Sequence, residues 1–368
     1  MKNSDFEREF DKQVNEIKKP NIMIVGGTGV GKSSLINQVF GEEFAKVGSG
    51  EPVTRGCHKY EKNGVPVTVF DTEGYEIIDG KEDNGNFEEK VLAEIIKRKS
   101  QSLNEHIHLF WYCISISNHR ITDYDLKNIR LLSDTKIGAN LAIVFTQCDN
   151  DELDSNNNGI TSAKFRSILS KEGIQAPCFE TMVGHDNDTL QLDELLIWSE
   201  ESLPEESLKE SFVGAQKSNL PLKHNRVMKI ILAASGAATA AAGANPIPAS
   251  DSVILMPIQM TMAVSIANTY GFSNLKSATM ALMKSQIISL LGKQLASSFL
   301  KLIPGFGQII NAGVAGSLTL ALGYGLKELY TKAYQHVLET GENPDWLELF
   351  SSLDLTSFIK KIAPISDK

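Results

Sequence analysis

The 368 residues leave room for two domains and a sizeable core, and 42% hydrophobic content with 22% charge excludes a disordered chain. Four widely spaced cysteines (Cys57, Cys113, Cys148, Cys178) argue against a disulfide framework or a paired-thiolate metal site, and for a reducing compartment. The net charge of −9 is uneven: residues 221–368 carry 12 basic and 8 acidic groups against 24 and 37 before them, so the halves face either different partners or each other.

Phe6, Phe10, Val14 and Ile17 recur at helical spacing, predicting a short amphipathic helix in segment 1–19. The opening MKNSDFEREFDKQ lacks the apolar stretch of a secretion signal, so a cytoplasmic location is expected. NIMIVGGTGVGKSSLINQVF reads as a buried strand, a glycine loop and a helix. CHKYEKNGVPVTVFD reads as two strands joined at Asn63-Gly64, a strong hairpin signal. HIHLFWYCISI and NLAIVFTQCD are buried strands, APCFE is a short one, and helices are predicted over 122–134, 160–172 and 189–202. The alternation predicts, over residues 20–203, an α/β P-loop domain with a mostly parallel six-stranded sheet and one antiparallel edge strand. Ligands of such sheets bind beyond the carboxyl ends of the strands.

The polar, proline-bearing SLPEESLKE predicts a linker over 204–222. Three runs without a charged residue follow, at 230–250, 252–275 and 302–326. They predict an all-α domain over 223–340, ahead of an amphipathic helix and tail over 341–368. Each run exceeds the roughly 20 residues that span a bilayer. The small residues, the interruption Asn245-Pro246-Ile247-Pro248, and Pro257 and Pro304 nonetheless favour a soluble or peripherally attached bundle over an inserted hairpin. Lys223, Arg226, Lys229, Lys276, Lys284, Lys293 and Lys301 either face an anionic membrane surface, at about 1 kcal/mol each, or are solvated helix faces. Their dispersal, without an aromatic-interleaved groove, argues against nucleic acid. Asp251 after Ser250 reads as a helix cap.

Gly26-Gly27-Thr28-Gly29-Val30-Gly31-Lys32-Ser33, followed by Ser34, matches GxxxxGK[ST] between a strand and a helix, the context this phosphate loop requires. Its backbone N–H groups and the helix N-terminus face phosphates, Lys32 reaches the β- and γ-phosphates, and Ser33 ligates Mg²⁺. Asp71-Thr72-Glu73-Gly74 follows the strand VPVTVF; Asp71 is expected to hold Mg²⁺ and the Gly74 N–H to meet the γ-phosphate. Thr54 in GSGEPVTRG is expected to close onto Mg²⁺ and the γ-phosphate, in preference to Ser49. Thr146-Gln147-Cys148-Asp149 stands where [NT]KxD reads guanine, with Asp149 accepting from the ring N–H and the exocyclic amine. Gln147 replaces the usual Lys, keeping part of its stem and losing the charge. Thr181, Met182 and Val183 occupy the place of a loop whose backbone N–H touches guanine O6, or form a plain strand end.

GGTGVGKSSLINQVF, Thr54, DTEG and TQCD, in this order and spacing, resemble the Era-like branch of the translation-factor-related GTPases over about residues 20–203. MKIILAASGAATAAAGANPIPASDSVILMPIQMTMAVSIANTYG with IPGFGQIINAGVAG resembles a bacterial helical domain of unknown function fused to such GTPases. The layout is also similar to that of the immunity-related, interferon-inducible GTPases. The resemblance implies GTP and GDP as ligands and Mg²⁺ as cofactor.

Many such GTPases carry Gln after DxxG to orient the attacking water, and here that place is Tyr75. Slow intrinsic turnover is expected, since even GTPases with the Gln run at on the order of 10⁻⁴ to 10⁻³ s⁻¹. Glu73, Glu76, His58 or Arg120 of the same chain could substitute, although each reads first as a solvated loop residue. A potassium ion held by a P-loop Asn is a second remedy, but Gly29 stands there. The third is a homodimer in which a second G domain completes the site. The expected function is a GTP-hydrolysing switch whose helical domain engages a membrane surface, at the inner face, or a protein effector. The alternatives are a self-assembling membrane-remodelling or pore-forming effector and an Era-like ribosome-assembly factor.

Overall fold

The computed structural model describes residues 3–41, 44, 51–54, 57–62, 65–72, 76–78, 81–83, 91–134, 139–183, 190–217, 219–243, 251–272 and 312–353. The chain divides into two compact units, one of residues 18–212 and one of residues 1–17 with 213–368.

The first unit is built on strands β1 (Asn21–Val25), β2 (Glu51–Thr54), β3 (Cys57–Glu61), β4 (Thr68–Thr72), β7 (Leu109–Ser115), β8 (Asn140–Thr146) and β9 (Cys178–Glu180), with β5 (Glu76–Ile78) and β6 (Lys81–Asp83) forming a separate ribbon. The sheet order is β2-β3-β4-β1-β7-β8-β9. Six of these are the predicted strands, and β3 alone runs against the others. The four-residue β2 pairs outside β3, so the antiparallel strand is flanked rather than at the edge. The turn at Asn63-Gly64 lies outside the described residues, while β3 and β4 pair as the predicted hairpin. Continuous apolar runs make β1 and β7 buried along their full length, as a sheet covered on both faces requires.

Helices α2 (Lys32–Phe40), α3 (Ala93–Lys99), α4 (Asp123–Leu132), α5 (Ile160–Lys171), α6 (Leu192–Ser202) and α7 (Glu206–Ala215) complete the connections. Trp111 of β7 stacks on Phe40 of α2 at 6.2 Å, meets the edge of Phe212, and donates from Nε1 to Ser199 of α6 at 3.0 Å. That contact anchors the helix behind the phosphate loop to the central strand. Two elements were not foreseen. Helix α3 holds to the sheet through Arg98, whose guanidinium lies 4.2 Å from the Phe70 ring and pairs with buried Glu94 at 2.8 Å. Helix α7 occupies the expected linker because Leu208, Phe212 and Val213 recur at helical spacing and are buried.

The second unit is all-α: α1 (Asn3–Asn15), α8 (Leu220–Gly243), α9 (Asp251–Thr269), α10 (Ala312–Thr340) and α11 (Trp346–Ser351). Phe10 of α1 is buried in the same apolar cluster as Tyr270, Tyr330 and Trp346. The small residues predicted to allow close packing do so: a Cβ on Gly323 of α10 would come 2.7 Å from the Ile231 side chain of α8. Pro257 does not end a helix but lies within α9, at the loss of one ladder hydrogen bond. Asp251 opens α9, as a cap-region residue should. Lys223 and Arg226 are buried, which corrects their assignment to a solvated or membrane-facing set; Lys229 is exposed, and Lys276, Lys284, Lys293 and Lys301 lie outside the described residues. Lys223 Nζ donates to the carbonyls of Val213 (2.6 Å), Gly214 (3.2 Å) and Thr269 (3.3 Å), and lies 4.8 Å from the Tyr334 ring. Its charge thereby meets the C-terminal ends of α7 and α9, where helix dipoles favour a cation. Among the described residues, no helix is long and apolar enough to cross a membrane.

Candidate functional site

The glycine loop leaves β1 and rests on the ends of the two neighbouring strands. Gly26 has φ 149°, and a Cβ there would lie 2.4 Å from the Cys113 carbonyl of β7, so only glycine lets the loop start this close. Gly29 (φ 74°) and Gly31 (φ 93°) are left-handed. From β8, the Thr146 hydroxyl donates to the Val30 carbonyl at 2.5 Å. Gly31 leads into α2 with no side-chain cap and no acidic residue in the first turn, so the helix N-terminus offers its orphan N–H groups to an anion. Thr28, Gly29, Ser33 and Ser34 are exposed along this rim.

Lys32 is folded back on its own loop, with Nζ donating to Gly26 O at 3.0 Å and Gly27 O at 2.9 Å. Burial holds its ammonium below the ordinary lysine value, against the opposing pull of Asp71 and Cys113. Burial likewise pushes the Asp71 carboxyl up to about 6, opposed by Lys32 and by His58. Asp71 Oδ1 is buried without a hydrogen-bonding partner. Two opposite charges thus stand desolvated in one site, the ammonium on two loop carbonyls and the carboxylate with one oxygen unpartnered. A Mg²⁺ ion fits this donor set. Among the described residues no three acidic, His or Cys groups cluster as a ready-made cage. An ion held by one carboxylate, a hydroxyl, waters and phosphate oxygens is the arrangement Mg²⁺ prefers. Ser33 opens the exposed side of that position; of Thr54 the backbone alone is described, on β2.

The base-reading residues gather at the end of β8. Gln147 is left-handed (φ 58°) and Asp149 is exposed in the turn that follows. The Gln147 amide accepts from the Ser115 hydroxyl at 2.6 Å and donates to the Gly29 carbonyl at 3.3 Å, so the neutral residue still reaches the phosphate loop. The segment Thr181–Val183 lies beside it: Cys148 N–H donates to Thr181 O at 3.2 Å, and Gln38 of α2 donates to Met182 O at 3.0 Å. Thr181 is buried and Val183 exposed.

Of the predicted site residues, Gly26 to Ser34, Asp71, Thr146, Gln147, Asp149 and Thr181 to Val183 are therefore arranged around the carboxyl ends of β1, β4, β7 and β8. Gly74, Glu73 and Tyr75 lie outside the described residues. His58 is not a loop residue: it stands on β3 directly opposite Asp71 in the antiparallel register. Arg120 is exposed beyond the end of β7, and Glu76 lies on β5. Sequence reading passed over Ser115 and Gln38. Ser115 carried a signal, being the first polar residue to end the apolar run of β7.

Residues 21–147 match the family model described as 50S ribosome-binding GTPase. Human neuronal-specific septin-3 is 26% identical over 174 residues, covering 41% of this chain and 46% of the septin. Septin-9 of Rattus norvegicus is 28% identical over 136 residues, 31% of this chain and 24% of that protein. GTPase Der of Lactobacillus helveticus is 37% identical over 73 residues, 19% of this chain and 16% of Der. The chain thus spans less than half the length of these curated relatives. The matched segment, from β1 to Gln147, holds the glycine loop, Asp71 and the end of β8: this chain carries a GTP-binding GTPase domain.

Proposed function

We propose that the protein hydrolyses GTP to GDP with Mg²⁺ and acts as a nucleotide-controlled switch whose helical half engages a membrane surface or a protein partner. The buried Asp71 carboxylate with Oδ1 unpartnered, beside the buried Lys32 ammonium at the mouth of the glycine loop, carries this reading. Incoming phosphates give Lys32 a better acceptor than the Gly26 and Gly27 carbonyls, and the α2 N–H groups orient the same oxygens. Asp71, Ser33 and Thr54 would hold the ion, and Asp149 would select guanine. Mg²⁺, when bound, neutralises charge on the β- and γ-phosphate oxygens. Exposed Lys229 and the undescribed lysines of residues 273–311 are the groups that would meet anionic headgroups.

The test is GTP hydrolysis per molecule across a range of protein concentrations, with and without anionic liposomes. Activity that climbs with concentration supports completion of the site by a second G domain; activity that climbs with lipid supports membrane engagement. A slow rate insensitive to both limits the switch to a timer that awaits a separate activator. No GTP turnover under any condition refutes the hydrolase reading.

A further inference from the structure

Gln147 has a weakness that the usual Lys of this position does not share. An amide presents a donor at one end and an acceptor at the other, and a half-turn exchanges them. The Gly29 carbonyl can only accept, so it is served only when Nε2 faces it; the reversed amide would set two acceptors against each other. The Gly29 carbonyl sets the productive orientation, and Ser115, whose hydroxyl can donate or accept, anchors the other end of the amide. The Ser115 side chain is buried at the end of β7, and its hydroxyl donates to Oε1 at 2.6 Å while Nε2 donates to Gly29 O at 3.3 Å. Residue 147 is also left-handed, a conformation that non-glycine residues adopt at a cost. The side chain is therefore launched from a strained backbone and needs a fixed partner to stay aimed.

We propose that Ser115 is a positioning residue for nucleotide binding: it locks the Gln147 amide so that the residue beneath the base and the phosphate loop form one hydrogen-bonded unit. The inference rests on the reading of this site as a GTP site. Ser115, Gln147 and Gly29 come from β7, the end of β8 and the glycine loop, and the amide hydrogen-bonds to both neighbouring segments at once. A lysine in place of Gln147 would need no such lock, since an ammonium donates in every direction.

The test is the release rate of N-methylanthraniloyl-GDP from the full chain, measured for wild type, Ser115→Ala, Gln147→Lys and the double substitution. Ser115→Ala is expected to speed release about 5- to 30-fold in the Gln147 chain, the range for one or two kcal/mol. In the Gln147→Lys chain the same substitution is expected to change release by less than about twofold. Equal effects in both chains overturn the inference, including the case in which Ser115→Ala merely damages the fold, because the lysine would not repair that. No effect in either chain overturns it as well. A wild-type chain that retains no labelled GDP at all overturns the GTP-site reading and the inference together.

Discussion

Gly26 and Gly29 belong to one loop, yet alanine should fail at the two positions for different reasons and by different amounts. At Gly29 the backbone is left-handed (φ 74°), but an added Cβ meets nothing within 4 Å. The penalty is therefore conformational alone, about 1–2 kcal/mol, or roughly 5- to 30-fold in nucleotide affinity. At Gly26 the Cβ would lie 2.4 Å from a main-chain carbonyl of β7 and 3.1 Å from Val30 Cγ2, at φ 149°. The carbonyl belongs to a fully buried strand and has nowhere to retreat. The loop itself must lift, carrying with it the carbonyls that hold Lys32. Strain of about 1–3 kcal/mol and the lost loop contacts together put the loss at no less than about 3 kcal/mol, more than about 100-fold in affinity. Equilibrium titration with N-methylanthraniloyl-GDP, alongside a urea melt to verify folding, reads both. Equal losses at the two positions, or a greater one at Gly29, would refute the claim that the β7 carbonyl sets the loop's seat.

Three further outcomes follow from other contacts. His108 accepts the Asn21 N–H on Nδ1 at 2.9 Å, and burial, helped by His106, lowers it to about 4; because the unfolded chain takes up the proton first, stability should fall as pH drops from 6.5 to 4, by about 2 kcal/mol at pH 5, and His108→Gln should flatten that part of the urea-midpoint profile. Lys223→Met should destabilise the helical unit by about 2–4 kcal/mol, since three helix-terminal carbonyls lose their donor while the relief of burying an ammonium returns only part; an unchanged urea midpoint would show that the two terms cancel. Asp149→Asn should cost at least about tenfold in GDP affinity and erase the preference for GTP over ATP in competition titrations, because the carboxylate's second acceptor is gone.

Much of the site is legible in the sequence because its parts are local. The phosphate loop declares itself through glycine spacing and the strand and helix around it, and Asp71 and Asp149 follow from their places at strand ends. The contacts that hold those parts in register are not local. Gly26 against Cys113, Thr146 under Val30 and Ser115 behind Gln147 join residues 32 to 116 positions apart, and no periodicity encodes which strand ends become neighbours. His58 shows the same limit from the other side. Its segment reads as one strand of a hairpin, but only the register of β3 against β4 sets His58 opposite Asp71.

In the helical half charge is a poor sign of exposure. Lys223 and Arg226 stand three residues apart in the polar stretch Lys223-His224-Asn225-Arg226 near the start of a long helix, a spacing equally compatible with a solvated stripe and with a buried one. The deciding fact is a supply of helix-terminal main-chain acceptors: the ends of α7 and α9 bring the Val213, Gly214 and Thr269 carbonyls together, and a lysine can reach them all. The interaction needs no carboxylate, so nothing in a count of acidic partners could reveal it. The same reasoning explains why the sequence of α7 reads as a linker. Pro204 and four glutamates within residues 201–210 give the segment its polar look, while Leu208, Phe212 and Val213 mark the side that folds, and even Glu210 is buried. Where a helix ends against other helix ends, the strongest demand comes from main-chain groups, and a sequence names only side chains.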